Sequence, residues 1–309
     1  MTGNGGVNEP SATSRSGLVY GFLAYLLWGF FPLYWPLLEP ASPWEILAHR
    51  IVWSLVFCLG LLAVTRTWRS YALIFSRPRQ LMLLAAASVV ITLNWGGFIW
   101  AVNNGHVVET SLGYFINPLV TVLLGVVVLG ERLRPMQWTA VALGAVAVLV
   151  LSVDNGGPPW VALLLAFSFA TYGFIKKRVN LGTVEALSVE TTILTPFALA
   201  YLVFLQLTGS LAFGHHGAVN TALLIGTGVV TAIPLLLFGA AATRLSLTTI
   251  GLLQYLVPVI QFILGLTVFG EQMGAARWIG FTLVWCALTI FTVDGLRSRR
   301  TEVVVDQVP

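Results

Sequence analysis

Apolar residues in this chain fall into blocks about 20 residues long, and this pattern constrains the fold more than any other feature. A helix of about 20 apolar residues spans the ~30 Å hydrocarbon core of a bilayer. Strand-like alternation is absent, and a backbone in lipid must satisfy its hydrogen bonds within the segment. We therefore predict an all-α polytopic membrane protein of ten transmembrane helices, at about 17–38, 44–65, 80–102, 109–129, 136–154, 158–175, 184–206, 219–240, 247–269 and 275–294.

Composition supports this prediction and excludes two other classes. The chain is 57% hydrophobic and 9% charged, whereas soluble domains carry about 25% charged residues. The net charge of +4 does not indicate nucleic-acid binding, because the basic residues lie only in certain loops. Cys58 and Cys286 lie within apolar blocks, so neither a disulfide framework nor a metal site is expected.

Lysine and arginine lie mostly on one side of the predicted bundle. Alternate loops share a side, and one side collects all but two of the 16 basic residues, the exceptions being Arg50 and Arg277. Basic loops are typically cytoplasmic. We therefore expect both termini, including the tails 1–16 and 295–309, in the cytoplasm of a bacterial cell, with the helices in its plasma (inner) membrane. The basic clusters are read as topology signals rather than partner-binding sites.

An internal repeat relates the two halves of the chain. Residues 118–154 align without gaps on 258–294, an offset of 140, and 11 of the 37 aligned positions are identical. The matches include proline, Gly-Glu, tryptophan and aspartate, which apolar bias alone would not align. Because each half has five helices, the halves must enter the membrane from opposite faces. The sequence predicts two inverted five-helix repeats, 17–154 and 158–294, an organisation typical of secondary transporters.

The repeated Gly-Glu pairs, Gly130–Glu131 and Gly270–Glu271, favour a structural role over substrate contact. Glycine commonly ends a helix in the left-handed conformation. The glutamate that follows then precedes the next helix, whose N-terminal dipole stabilises a negative charge.

Arg50 and Glu190 occupy equivalent positions of the two repeats, each inside a helix. Charges at such depth usually face the bundle interior or water. Two interpretations remain open. In the first, Arg50 and Glu190 have a structural role: they pair with each other, or Arg50 extends towards Glu39 or Glu45. Alternatively they belong to a substrate site, in which Glu190 is also a candidate for proton coupling.

Other polar and aromatic residues within the predicted helices suggest a cavity that suits an amphipathic organic substrate. A lone asparagine or tyrosine in a membrane helix more often joins two helices by a hydrogen bond, so this alternative stays open. The candidate cavity residues, besides Arg50 and Glu190, are Asn94, Trp95, Asn103, Tyr114, Asn117, Tyr172, Gln254 and Tyr255. The fifth and tenth helices carry few polar residues and are expected at the periphery.

The chain also contains runs that resemble one protein family across about residues 17–294. They are WEILAHRIVWS (44–54), NWGGFIWAVNN (94–104), ETSLGYFINPLV (109–120), LGERLRPMQW (129–138), LAFSFATYGF (165–174) and AAATRLSLTTIGLLQYLVP (240–258). These runs resemble the RarD branch, the "chloramphenicol-sensitive protein" branch, of the EamA family in the drug/metabolite transporter superfamily.

The resemblance implies two EamA repeats and transport of small organic metabolites or drugs, chloramphenicol-related compounds among them, by alternating access. It also implies a cavity among the first four helices of each half. No cofactor or metal is expected, and one chain holds both halves of a pathway. ATP-binding and catalytic motifs such as G-x-x-x-x-G-K-[ST] and H-E-x-x-H are absent from the sequence. The inverted repeat favours a transporter over a membrane enzyme or sensor. We expect an exporter coupled to protons, and an uncoupled facilitator or channel stays open as the alternative.

Overall fold

The computed structural model describes residues 12–130, 132–154, 156–179, 181–245 and 247–305, and within these ranges every regular element is helical. In chain order the α-helices are α1 (Ala12–Gly29), α2 (Pro43–Thr65), α3 (Trp68–Phe75), α4 (Pro78–Asn103), α5 (Val107–Leu129), α6 (Pro135–Asp154), α7 (Trp160–Val179), α8 (Thr183–Thr208), α9 (Gly217–Ala242), α10 (Leu247–Gln254), α11 (Leu256–Thr267) and α12 (Ala275–Val305). The predicted all-α fold class is confirmed.

The spans agree with the predicted apolar blocks, with one of them bent. Nine segments of the described chain are long and apolar enough to cross a membrane. A tenth consists of Arg15–Gly29 and Phe31–Leu38, which meet at a bend of 40°. Two short 3-10 helices form the part after the bend, and each has a proline in its first two positions. Proline lacks the N–H that would continue the α-helical bonding, so the helix changes direction here.

Three helical features differ from the predicted blocks. Helix α3 is a short extra helix in the connection between the second and third predicted blocks. The ninth span breaks at Tyr255 into α10 and α11, shortly before Pro258. Helix α12 continues to Val305, beyond the predicted end of the tenth span at residue 294. Its polar end lies past the apolar stretch, so the helix is longer than a bilayer requires.

The two halves interlock instead of packing as separate bundles. Helix α2 packs mainly against α8 and α9, α7 packs against α4 and α5, and α1 packs against α9. Helix α5 also contacts α11, its repeat equivalent, and α6 contacts α12 in the same way. The principal helix contacts therefore join one half to the other, so a relative movement of the halves would remodel the interior.

Close helix contacts depend on glycine at two of these interfaces. A Cβ atom added at Gly228 of α9 would lie 2.3 Å from the carbonyl oxygen of Trp53 in α2. A Cβ atom added at Gly113 of α5 would lie 2.8 Å from the carbonyl oxygen of Ala162 in α7. Small residues let membrane helices approach until their backbones touch, which increases dispersion contact without a hydrophobic driving force.

Helices α6 and α12 form the outer part of the molecule, as the sequence predicted. They pack on each other, and α6 is the least buried of the nine unbent spans in the described chain. Small residues lie on the inner side of α6: Ala140 is fully buried, and a Cβ atom added at Gly144 would lie 2.7 Å from Leu119 in α5.

Candidate functional site

The bundle has two ends that differ in their connections. We call the end that carries connections 39–42, 104–106, 156–159, 209–216 and 268–274 the distal face. We call the opposite end, where α1 begins and α12 ends, the terminal face. Each half contributes helices and connections to both faces, so contacts across either face can hold the halves together.

Glutamates on the distal face bind backbone N–H groups of the other half. Glu45, in the first turn of α2, accepts hydrogen bonds from Ala212 at 2.9 Å and Phe213 at 3.0 Å, which lie between α8 and α9. Glu109, in the first turn of α5, accepts a bond of 3.0 Å from Val161 at the start of α7. Free N–H groups at a helix start favour a carboxylate partner.

Glu271 makes the reciprocal contact, from the second half to the first. Its carboxylate accepts hydrogen bonds from the first residues of α5, Val107 and Val108, the latter at 3.2 Å. We call Glu45, Glu109 and Glu271 the distal latch. All three accept hydrogen bonds from backbone N–H groups across the boundary between the halves, so these bonds join the halves at the distal face.

Further hydrogen bonds join the two halves at and below the same face. The amide of Asn220 in α9 donates to the carbonyl oxygen of Leu38 at 2.9 Å. The hydroxyl of Tyr34 donates to the carbonyl oxygen of Leu223 at 2.6 Å. Deeper in the bundle, the hydroxyl of Ser111 donates to the carbonyl oxygen of Pro258 at 2.7 Å. Each bond again joins the first half to the second.

The surroundings of Glu271 perturb its ionisation. Burial raises the pKa of Glu271 to about 7, an effect partly opposed by the two backbone N–H groups and by Arg277, and increased by the charge of Glu109. His106 lies 3.4 Å from Glu109 and lines the same small cavity of about 20 Å³. The latch therefore contains a carboxyl group that titrates near neutral pH.

The Gly-Glu prediction is confirmed for the glycine and corrected for the glutamate. Gly130 has φ +68° and ends α5, as expected of a left-handed cap. Glu271 does not bind the next helix, α12, because that helix begins only at Ala275. Instead the connection places its carboxylate at the start of α5. Glu131 lies outside the described residues.

A larger cavity of about 350 Å³ lies towards the terminal face, between α5, α10 and α12. Its lining is Asn117, Pro118, Thr121, Val122, Gly251, Leu252, Gln254, Tyr255, Phe291, Thr292, Gly295 and Leu296. Leu252 and Leu296 are exposed, so the cavity reaches the surface of the molecule. Three predicted residues line it: Asn117, Gln254 and Tyr255. The contribution of α12 differs from the expectation of a cavity built from the first four helices alone.

Arg50 lies elsewhere, in an aromatic cage that we define as Phe31, Trp35 and Trp95. The guanidinium carbon lies 4.0 Å from the ring centre of Trp95, 5.1 Å from Trp35 and 5.7 Å from Phe31. The Nε group donates to the hydroxyl of Thr231 in α9 at 2.9 Å. Two of the candidate cavity residues, Arg50 and Trp95, therefore lie together, at the contact of α2, α4 and α9.

Asn94 and Tyr114 form a hydrogen-bonded group beside this cage. The Asn94 amide donates to Ser168 at 2.9 Å and to the carbonyl oxygen of Leu165 at 3.2 Å, and it accepts from the Tyr114 hydroxyl at 3.4 Å. The Asn117 amide donates to the carbonyl oxygen of Ala166. The helix-joining interpretation therefore accounts for the contacts of both asparagines. Asn103, at the end of α4, has a buried carbonyl oxygen without a partner among the described residues.

Glu190 pairs with Lys176, a member of the basic clusters that are predicted to be topology signals. Lys176 of α7 donates to Glu190 at 2.8 Å, and the hydroxyl of Tyr172 donates to it at 3.1 Å. Glu190 is 1% exposed, whereas Lys176 is 23% exposed. Tyr172 and Lys176 are four residues apart and therefore lie on one face of α7. This spacing is visible in the sequence and could have indicated that the two side chains share a partner. Among the described residues, Arg50 and Glu190 do not contact each other.

Comparisons with known proteins agree with the fold. The model of the EamA-like transporter family matches residues 15–153. Protein RarD of Streptomyces exfoliatus is 56% identical, with 93% of this chain and 91% of that protein covered. The uncharacterized transporter YojE of Bacillus subtilis is 41% identical, with coverage of 94% and 97%.

A further relative and a solved structure complete these findings. Chloramphenicol-sensitive protein RarD of Pseudomonas aeruginosa is 30% identical, with coverage of 94% and 97%. A crystal structure of a protein with 18% identity superposes with a TM-score of 0.60 over 93% of this chain and 99% of that chain. The relatives are transporters, not enzymes. The chain belongs to the RarD branch of the EamA family and is a multi-pass membrane transporter.

Proposed function

We propose that this protein is a secondary transporter that exports small organic metabolites or drugs by alternating access. The observation that carries this proposal is the difference between the two faces. The halves are hydrogen-bonded to each other across the distal face, through the latch and the bonds of Asn220 and Tyr34. Towards the terminal face, a cavity of about 350 Å³ reaches the surface.

The inverted repeat supports a second conformation of similar energy. In such a pair, exchanging the conformations of the two halves closes the face that was open and opens the other. Most principal helix contacts already join the two halves, so this exchange remodels interfaces and leaves each helix intact. One chain holds both halves, and a monomer is therefore sufficient for a pathway.

The basic residues orient the protein in the bacterial inner membrane. The terminal face carries Lys176, Arg178 and Arg244, among others, and the positive-inside rule assigns it to the cytoplasm. With this orientation the structure is inward-facing. The lining of the large cavity contains amides, hydroxyls and apolar groups and lacks Asp, Glu, Lys, Arg and His. That lining suits the amphipathic body of a drug or metabolite.

Glu190 remains our candidate for proton coupling. It lies inside α8, is almost fully buried, and is bound by Lys176 and Tyr172. A buried carboxylate held by a movable cation can exchange that cation for a proton when the helices move. In this conformation the ion pair is formed.

The test is transport in proteoliposomes that contain the full chain, with a panel of metabolites and drugs, with and without a pH gradient. Uphill movement only in the presence of the gradient supports a coupled transporter. Flux that never exceeds equilibration supports the uncoupled facilitator instead, and no flux of any compound contradicts transport.

A pair of variants tests the proton site in the same vesicles. Glu190→Gln should abolish gradient-driven accumulation while leaving exchange at equilibrium. Glu185→Gln is the matched control, because Glu185 lies on the same helix nearer the terminal face. If Glu190→Gln keeps the wild-type rate and pH dependence, Glu190 does not carry the proton.

A further inference from the structure

The guanidinium of Arg50 is buried without a negative partner. Arg50 is 4% exposed and lies in the second turn of α2. Among the described residues, no carboxylate lies within 4.0 Å of it. Glu45 binds the backbone of the other half instead, and Glu190 binds Lys176. An unpaired buried charge is strongly unfavourable, so a cation retained here requires compensation.

The aromatic cage compensates only part of this charge. Trp95, whose ring centre is 4.0 Å from the guanidinium carbon, and Trp35 provide cation–π contacts. Such contacts act on the planar face of the guanidinium. They provide no hydrogen-bond acceptor for the N–H donors, which point outwards from the edge of the guanidinium.

Most of the donors at this place lack an acceptor. An arginine has five N–H donors. One of them, Nε, is bound by Thr231, whose own hydroxyl proton is committed to the carbonyl oxygen of Thr227 at 2.8 Å. For the four donors on the terminal nitrogens, the described part of the chain supplies no hydrogen-bond acceptor. The indole N–H of Trp35 is also buried without a partner among the described residues.

From this surplus of donors we propose that Arg50 and its aromatic cage bind the carboxylate of a transported organic acid. The inference rests on the proposed function and specifies its substrate class. A planar carboxylate accepts two parallel hydrogen bonds from an arginine fork. The single uncompensated cation matches a monoanion. The rings of Phe31, Trp35 and Trp95 match an apolar or aromatic body attached to that group.

The position of Arg50 fits a site that alternates between the faces. It lies about 10 Å from the distal end of α2, at ~1.5 Å per residue. Its partner Thr231 belongs to the other half, so the cage is built across the boundary that moves. With the distal face closed, Arg50 is only 4% exposed in this conformation.

Binding to the purified full chain in detergent tests the proposal. The probes are benzoate, phenylacetate, salicylate and indole-3-acetate, each compared with its neutral amide by calorimetry and thermal shift. Each acid should bind more tightly than its amide. Arg50→Lys keeps the charge and removes the fork, so acid binding should weaken about tenfold to a hundredfold while amide binding is unchanged.

Arg178→Lys is the matched control. Arg178 is exposed and also stacks on a ring, 4.5 Å from the centre of Phe174, but lies at the end of α7. Its variant should bind all probes as the wild type does. If Arg50→Lys does not fold, Trp35→Phe, which removes one donor and keeps an aromatic ring, should weaken acid binding about tenfold.

Two results overturn the inference. One is that none of the four acids binds more tightly than its amide. The other is that the folded Arg50→Lys or Trp35→Phe variant binds the acids as tightly as the wild type. Proteoliposome flux separates this failure from that of the proposed function. Transport of neutral compounds without preference for acids contradicts only the proposed carboxylate site. An absence of all flux contradicts the proposed transport function.

Discussion

Closing of the distal face should depend on pH through Glu271. In the closed conformation its pKa is about 7, compared with an ordinary value of 4.5, mainly because it is buried. In an open conformation we expect the carboxyl to meet water and to regain its ordinary pKa. The proton therefore binds more tightly when the face is closed, and by linkage protonation favours closing.

The direction and size of this effect follow from the two pKa values. Closing is most favourable below pH 4.5, weakens as pH rises, and is constant above about pH 7. The full difference corresponds to about 3 kcal/mol at ~1.4 kcal/mol per pH unit. Because Glu271 is only partly buried, solvent screening reduces this to about 1–2 kcal/mol, or roughly five- to thirtyfold in the ratio of closed to open molecules.

Electron–electron distance measurements between spin labels can follow this ratio. The labels go on Asn104→Cys and Gln272→Cys, exposed distal positions in different halves, after replacement of the native Cys58 and Cys286 by serine. The fraction of long distances should rise between pH 5 and pH 8.

Two variants complete the design. Glu271→Gln, which mimics the protonated side chain, should stay closed and lose the pH dependence. Glu39→Gln, an exposed carboxylate of the same face, should behave as the wild type. His106, Glu109 and Arg277 face the same cavity and remain unchanged in every sample. A long-distance fraction that rises as pH falls, or an unaltered pH profile in Glu271→Gln, refutes the reasoning.

Three further predictions concern stability, measured by thermal unfolding of the purified full chain. Gly228→Ala places a Cβ atom 2.3 Å from the Trp53 carbonyl oxygen, so it should destabilise by about 1–3 kcal/mol, and an unchanged midpoint contradicts this contact. Asn94→Leu removes an amide that bonds Ser168 and the Leu165 carbonyl, with an expected loss of about 1–3 kcal/mol; a neutral effect means that these bonds contribute nothing. Lys176→Met leaves Glu190 without its cation and should cost about 2–4 kcal/mol, most of which the added change Glu190→Gln should restore; strictly additive effects would exclude coupling.

The helices, their number and the inverted repeat were predictable from sequence. The reason is physical: a backbone in lipid bonds within its own segment, so each span is recorded locally as a run of apolar residues. The repeat was visible because proline, Gly-Glu and tryptophan matched at a constant offset. The left-handed cap at Gly130 was predictable for the same local reason.

The partners of the polar side chains were not predictable in this way. Sequence related Arg50 to Glu190, but helix packing gave Arg50 an aromatic cage with Thr231 and gave Glu190 the ion pair with Lys176. Two residues at equivalent positions of an inverted repeat need not touch, because their separation depends on helix tilt and rotation. The sequence contained one usable signal, the four-residue spacing of Tyr172 and Lys176.

The sequence by itself determined a ten-span chain in two opposed halves, with most basic residues on one side. Only the tertiary structure decided which face is closed, because that depends on donors of one half meeting acceptors of the other. Glu271 shows the difference: its sequence position suggests a cap for the next helix, whereas packing brings it to α5. Local hydrogen bonding fixes each helix, while contacts between distant segments select its partners.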